Sequence, residues 1–403
     1  MRLLQVNSTV STGSTGRLAE QVGQFAIQQG HESYIAFGRG TPRTSSRLVR
    51  IGNARDVIMH GLKTRVLDRN GFGSTRASVD FIRQVHSINP DVIGLHNLHG
   101  YYVNVHTLFN YIKAQAKPVV WTLHDAWAFT GHCAYFDPAD CQKWRDKCGK
   151  CPLKRMYPAS LLLDNSRRNF LEKRDLFRGI GRLQLITPSR WLAVHVKNSF
   201  LSAYPLRVIH NGVDLGIFRP VDSVVEVSRR FDIKGRKIVL GVSNIWSERK
   251  GLRDFVLLSK QLGKRYRILL VGLTPSQLKG MPADIIGITR TESVTQLAQL
   301  YSAADVFVNP TYADNFPTTN IESLACGTPI VTYRTGGSPE AVDENTGITV
   351  RRGDINALAG AIQQVCDSDR DSYRNACRSK AEKFFDKDQQ ISEYLKVCTD
   401  IMQ

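Results

Sequence analysis

Residues 305–340 read DVFVNPTYADNFPTTNIESLACGTPIVTYRTGGSPE, and the order of structure types in this stretch decides the fold. Residues 306–308 form a buried apolar run punctuated by Pro310. Thr318 and Thr319 open a short helix that stops at Gly327, and PIVTY makes a second strand that runs into Gly336-Gly337. Strand, helix and strand in that order make a parallel βαβ unit. Two acids, Asp314 and Glu322, lie eight positions apart, one in the loop and one expected in the first helical turn. Both can face the carboxyl edge of a parallel sheet, where open α/β folds bind ligands. A structural reading competes: Thr319 and Glu322 have capping-box spacing, and Asp314-Asn315 suits an Asx turn.

The same alternation extends outward in both directions. Strands are expected at 3–6, 33–37, 91–95, 118–123, 183–187 and 206–210, then at 237–242, 266–272, 284–289, 305–310 and 329–333. Helical patterns lie between them. The first of these follows Ser11-Thr12-Gly13-Ser14-Thr15-Gly16 and carries Leu18, Val22, Phe25 and Ala26 on one face. The expected fold class is α/β, with two Rossmann-like doubly wound domains facing each other across a cleft. Expected boundaries are 1–213, containing a Cys-rich insert at 132–152, then 214–385, and a C-terminal helix at 386–403 that packs back toward the first domain.

The net charge is +18. Residues 1–210 hold 29 Lys and Arg against 13 Asp and Glu, a net of +16; residues 211–403 hold 25 against 23. An excess confined to one half suggests an anionic partner for that half: nucleic acid, an anionic membrane face or a phosphate-bearing substrate. Nucleic acid is disfavoured, because no dense basic tract is interleaved with aromatics and no recognition helix accompanies the cysteines. The run SRRNFLEKRDLFR at 166–178 is basic with apolar positions at helical spacing. It suits peripheral membrane contact or a core-packed helix with a solvated face. No apolar run reaches membrane-spanning length, and MRLLQVNS is too short in apolar residues for a secretion signal. The expected location is the cytoplasm, with peripheral contact at the inner membrane.

Four of the eight cysteines cluster as C-x7-C-x6-C-x2-C: Cys133, Cys141, Cys148 and Cys151. Four thiolates in one irregular loop suit a closed tetrahedral structural zinc site, with His132 as a substitute ligand. Disulfides are the rival, disfavoured by the lack of a secretion signal. Other polar groups stand just past expected strand ends: Gly13 and Gly16, His96 and His99, His124-Asp125, Arg249-Lys250, Asp314 and Thr335-Gly336-Gly337. The glycines suit an anion or sugar at a helix N-terminus, and Arg249 with Lys250 suits a diphosphate. A dinucleotide G-x-G-x-x-G and a phosphate-binding G-x4-G-K-[ST] are both missing, which argues against nicotinamide, flavin and nucleotidase chemistry.

Together HDAW after a strand, ITPSRWLA (186–193), IHNGVDLGIFRP (209–220), ERKGL (248–252), 300–331 and GGSPE (336–340) resemble the family-4 retaining glycosyltransferases of GT-B fold. The insert resembles a subset that builds bacterial surface polysaccharides such as O-antigen and lipopolysaccharide. The resemblance implies a nucleotide-sugar donor, UDP- or GDP-linked, and a glycan acceptor carried on undecaprenyl diphosphate. It implies that Glu322 holds the ribose hydroxyls and that Asp314 stands beside the donor sugar. Asn315, Phe316 and Thr318 would line that sugar through their backbone. Lys250 and Arg249 would hold the diphosphate, His124 would contact the sugar, and Gly13 and Gly16 would border the diphosphate and acceptor. No cofactor is needed for catalysis. Two departures stand out: the first acid is Asp rather than Glu, and GVSNIWSERKG lacks the usual Gly-Arg before Lys-Gly. Two further readings remain: a zinc-stabilised basic nucleic-acid-binding protein and a GT-B sugar-nucleotide epimerase.

Overall fold

The strands fall into two all-parallel sheets in the computed structural model, which describes residues 1–403. Residues 1–210 with 391–403 form one unit and 211–390 the other. In the first unit the strands are β1 (Arg2–Val6), β2 (Glu32–Phe37), β3 (Arg47–Arg50), β4 (Val92–Leu95), β5 (Val119–Thr122), β6 (Leu183–Thr187) and β7 (Leu206–Val208), in the order β3-β2-β1-β4-β5-β6-β7. Its helices are α1 (Gly13–Gln28), α2 (Ala54–Leu67), α3 (Thr75–Ile88), α4 (Val105–Gln115), α5 (Ser166–Phe177) and α6 (Arg190–Lys197). The central strands are buried on both faces, as a parallel sheet covered by helices demands.

The second unit has β8 (Lys237–Val242), β9 (Tyr266–Val271), β10 (Ile285–Ile288), β11 (Val306–Asn309), β12 (Ile330–Tyr333) and β13 (Gly347–Val350), ordered β10-β9-β8-β11-β12-β13. Its helices are α7 (Val224–Arg230), α8 (Leu252–Gln261), α9 (Pro275–Lys279), α10 (Val294–Ala303), α11 (Thr318–Ala325), α12 (Ile355–Asp367) and α13 (Arg370–Phe384); α14 (Lys387–Asp400) follows. From Ile391 onward the chain is again part of the first unit. There Ile391, Tyr394, Leu395, Val397 and Cys398 pack with Leu3, Val22, Val92, Val120 and Ile186.

Each sheet has one point where the strand order reverses, between β1 and β4 and between β8 and β11. A crevice opens at the carboxyl ends of strands at such a point, and ligands bind there. Gly13, Gly16 and His96 follow β1 and β4, while Arg249, Lys250 and Asp314 follow β8 and β11.

Several elements differ from expectation. The edge strands β3 and β13 lack the continuous apolar run that marks a central strand, and β3 exposes three of its four residues. Helix α1 begins at Gly13, so Ser14, Thr15 and Gly16 sit in its first turn. Helix α11 has Pro317 at its N-cap with no side-chain cap, and Glu322 is its fifth residue. The capping-box reading therefore fails: the helix starts too early for Glu322 to reach back to the cap. Helix α5 buries Phe170, Leu176 and Phe177, so the apolar positions of 166–178 belong to the core and not to a membrane-facing stripe.

Candidate functional site

In the second unit three strand-end loops converge. The turn 248–250 after β8 is tied to the loop after β11 by its backbone: the Tyr312 amide donates to the Arg249 carbonyl at 2.8 Å, and Thr311 Oγ1 donates to the same oxygen at 3.2 Å. The Arg249 guanidinium donates to the Ala313 carbonyl, and the Lys250 ammonium forms an ion pair with the Asp314 carboxylate. The third loop, after β12, closes on the same point, with the Gly337 amide donating to the Asp314 carbonyl at 3.3 Å. Gly336 has φ +55°, and a Cβ there would stand 1.7 Å from the Asp314 carbonyl oxygen, so only glycine permits this approach. Two cations and one carboxylate thus share a half-buried stretch of the sheet edge, a charge arrangement suited to a diphosphate ester.

Glu322 lies one turn into α11 and accepts a hydrogen bond from the Tyr301 hydroxyl at 3.1 Å. A carboxylate at this position has the acceptor chemistry to bind a diol. The loop that links Asp314 to α11 divides its residues by role. Asn315 is buried, the Phe316 ring packs against Phe385 at 5.7 Å, and the Phe316 carbonyl accepts the Asn211 amide at 3.1 Å. Phe316 is thus a core residue through its side chain, while Thr318 opens the helix.

Other residues here carry no sequence motif of their own. Asn320 receives the Asn309 amide at 2.7 Å and donates to the Ser338 carbonyl at 3.3 Å, which fixes the third loop to α11. The Tyr312 and Tyr333 hydroxyls both donate to Asp254, at 3.2 and 2.8 Å, and anchor the Asp314 loop to α8. Burial raises the Asp254 carboxyl above its usual range, against the pull of those hydroxyls. Thr335 and Ser338 hold buried hydroxyl oxygens without a hydrogen-bond partner, next to the Gly336-Gly337 turn. The Ser and Thr of TGGS were a visible signal; their isolation was not.

In the first unit Gly16 approaches Thr9 so closely that a Cβ would meet its Oγ1 at 2.8 Å, and Gly13, at φ +68°, starts the helix. Asn97, after β4, donates to Thr15 Oγ1 at 3.4 Å and its amide donates to Asn7 at 3.2 Å, which joins three chain segments at the sheet edge.

His124 follows β5 and ends a buried relay. The Gln5 amide nitrogen donates to the Ala19 carbonyl at 2.8 Å, so Gln5 turns its oxygen to His96 Nε2, 3.1 Å away. His96 Nε2 must then carry the proton, which leaves Nδ1 as an acceptor for His124 Nε2 at 3.2 Å. Burial pushes the His124 imidazole down to about 4 and His96 well below its ordinary value, so both rings are neutral at pH 7. Neighbouring Asp125 accepts from His99 at 2.8 Å and from the Trp127 amide at 2.9 Å. Burial would raise its carboxyl, and these partners more than offset that.

The four cysteines of the insert share one cluster and none forms a disulfide. The Cys133 and Cys151 thiols are close enough to shift each other's ionisation, and Cys148 Sγ accepts the Gly131 amide at 3.2 Å. No group of three or more His, Cys, Asp or Glu side chains is placed so as to hold a metal ion. His132 is engaged on both nitrogens, by Asp68 and by the Met156 carbonyl at 3.4 Å, so it is not a substitute ligand. The donor chemistry suits zinc, but the sulfur atoms do not form a closed cage. The segment leading into the insert is anchored by Lys173, buried on α5, whose ammonium donates to the Trp127 and Thr130 carbonyls at 2.7 and 3.2 Å.

A family model described as Glycosyltransferase Family 4 matches residues 15–216, and one described as Glycosyl transferases group 1 matches 236–368. The putative colanic acid biosynthesis glycosyl transferase WcaC of Escherichia coli (strain K12) is 27% identical over 381 residues, 89% of each chain. A D-inositol 3-phosphate glycosyltransferase of Mycobacterium tuberculosis (strain F11) is 30% identical over 210 residues, 47% of this chain and 43% of that one. Among solved structures, sucrose-phosphate synthase from Thermosynechococcus elongatus superposes with a TM-score of 0.74 at 16% identity, over 99% of this chain and 98% of that one. Anabaena HepE, solved in complex with UDP, gives 0.69 at 14% identity, over 98% and 100%. At such identities the likeness speaks for the fold, which is GT-B.

Proposed function

The chain belongs to glycosyltransferase family 4, and on that premise we propose that it transfers a hexosyl-type sugar, with retention, from a nucleotide diphosphate to a growing bacterial polysaccharide. The observation that carries this reading is the convergence of Arg249, Lys250 and Asp314 at the β8/β11 reversal, with the Glu322 carboxylate in the helix that follows. Glu322 binds the ribose hydroxyls. Arg249 and Lys250 neutralise the diphosphate as negative charge develops on it, which makes it a competent leaving group without a divalent metal. The acceptor hydroxyl attacks the anomeric carbon from the face that the diphosphate leaves. The carbon–oxygen bond to phosphate breaks as the new glycosidic bond forms, and the departing phosphate oxygen takes the hydroxyl proton. Neutral His124 contributes a hydrogen bond to a sugar hydroxyl, and Gly13 and Gly16 let the first turn of α1 approach the phosphates.

The UDP complex of HepE supports a UDP-sugar as the first donor to try, with GDP-sugars as the alternative. The full-length similarity to WcaC supports a polysaccharide product, and the +16 charge of residues 1–210 fits an undecaprenyl-diphosphate-linked acceptor. The experiment is turnover: purified protein given sugar nucleotides and lipid-linked glycans releases UDP or GDP. Glu322→Ala weakens donor binding roughly tenfold to hundredfold, the value of hydrogen bonds to a charged group. Intact nucleotide binding in that variant would remove the assignment. Epimerised sugar nucleotide formed without acceptor would move the chain to the epimerase reading.

A structural zinc in the insert stands as a separate proposal resting on donor chemistry alone. Protein purified without chelator is expected to carry about one zinc per chain. Four freely titratable thiols and no metal would retire it.

A further inference from the structure

Helix α2 is built inside out. Asn53 and Asp56 close its N-terminus with a reciprocal capping box, so the helix is well started. Its buried residues are polar: His60 and Thr64. His60 Nε2 accepts the Gly71 and Gly73 amides at 3.1 and 3.2 Å, its Nδ1 meets Ser74 Oγ at 2.9 Å, and Thr64 Oγ1 donates to the His60 carbonyl at 3.0 Å. Hydrogen bonds rather than apolar burial hold this helix to the unit. Its apolar residues point the other way, with Ile58, Met59 and Leu62 exposed at 66, 61 and 52%. Their spacing makes a single stripe.

A second exposed apolar segment is fixed beside that stripe. Leu161, Leu162 and Leu163 are 57, 64 and 50% exposed. They are not a loose loop: the Leu161 amide donates to the Arg65 carbonyl at 2.7 Å and the Leu163 amide to the Val66 carbonyl at 3.1 Å, both in the last turn of α2. Ser160 Oγ and the Lys154 ammonium hold the Leu163 and Leu162 carbonyls at 2.7 and 3.0 Å. Six large apolar side chains are thereby presented to solvent on a rigid, hydrogen-bonded base.

Cations surround them. Arg55, Arg65 and Arg155 are exposed, Lys63 is exposed along its stem with its ammonium on the Phe72 carbonyl at 3.0 Å, and Lys154 is half-buried. The nearby acids are Asp56 and Asp164, and both accept backbone amides, from Asn53 and from Cys151 and Ser166. An apolar stripe with a cationic rim matches an anionic bilayer surface: the side chains enter the acyl boundary and the cations meet the headgroups. A second copy of the chain would set like-charged rims against each other. No helix of the protein is long and apolar enough to cross a membrane, so contact of this kind is made from the surface.

We propose that α2 and residues 161–163 together form a membrane-docking face for anionic lipid. The inference deepens the acceptor side of the proposed function and rests on that reading for its purpose. Binding itself needs neither donor nor acceptor, so the two fail separately.

The test uses the full chain with vesicles of phosphatidylcholine, with or without an equal part of phosphatidylglycerol, in a flotation assay. Wild type is expected to bind the anionic vesicles at least tenfold more tightly. Ile58→Ser with Leu62→Ser, and separately Leu161→Ser with Leu162→Ser, are expected to reduce that binding at least tenfold. Thermal melting and nucleotide binding should be unchanged, because the side chains lie outside the core. Arg55→Glu with Arg65→Glu is expected to abolish the lipid preference. Equal binding to both vesicle types, or full binding by the serine variants, would overturn the proposal. So would a concentration-dependent dimer in sedimentation that the serine variants dissolve, since it would assign the face to a second copy.

Discussion

His124 owes its tautomer to residues buried behind it. The Ala19 carbonyl can only accept, so it orients the Gln5 amide; Gln5 then fixes the His96 tautomer, and His96 fixes His124 with its proton on Nε2 and its acceptor nitrogen at Nδ1. Gln5 and His96 are positioning residues. Replacing Gln5 with Glu puts a carboxylate against His96 Nε2 and favours the imidazolium, whose second N–H would confront His124 Nε2–H. The Gln5→Glu variant is therefore expected to gain an acid limb in its kcat–pH profile near neutrality. Wild type is expected to show none there, because burial holds His124 down at about 4. Donor KM should change little, since Glu322 and the cations lie in the other unit. An unchanged pH profile with reduced stability would make the relay merely structural.

Among the elements, the central strands and the sheet-edge residues were legible because a strand buried on both faces shows as an unbroken apolar run, and the residue after it falls at the binding edge. Arg249, Lys250, Asp314 and His124 were found that way. Glu322 was singled out by its spacing from Asp314, and the rival reading of it as a cap fails because it is the fifth residue of a helix that starts after Pro317. Tyr301, Asn320 and Gln5 were invisible because their partners are remote in sequence. Helix α2 defeats periodicity outright: its inward face is a histidine and a threonine satisfied by backbone groups, and its leucine and isoleucine face solvent. That inversion has a consequence in acid. Burial pushes His60 down to about 3, against an ordinary value near 6.5, so the folded state resists a proton that the unfolded chain accepts. The stability that His60 contributes is complete above pH 6.5 and is lost as pH falls toward 3, at about 1.4 kcal/mol per unit. Urea unfolding at pH 7, 6, 5 and 4 is expected to show that decline, and His60→Gln to flatten it. An equally steep decline in the variant would assign the acid sensitivity to other groups.

For the molecule as a whole, the last residues are structural members of the first unit although the chain reaches them after completing the second. Ile391, Leu395, Val397 and Cys398 are buried against strands β1, β4, β5 and β6, and the Tyr394 ring stacks 6.2 Å from His96. Each large apolar side chain taken from such a core costs roughly 1.5–3 kcal/mol. Several together approach the 5–15 kcal/mol, or thereabouts, that holds a domain folded. Ending the chain after Gln390 would also expose Leu3, Val92, Val120 and Ile186. The second unit, residues 211–390, would keep its sheet, its three converging loops and Glu322. The truncated protein is therefore expected to lose the calorimetric transition of the first unit and to retain one for the second, which a bound donor nucleotide still raises by mass action. Loss of both transitions would mean that the second unit does not stand on its own core. Survival of both would mean that the C-terminal segment contributes far less than its burial implies.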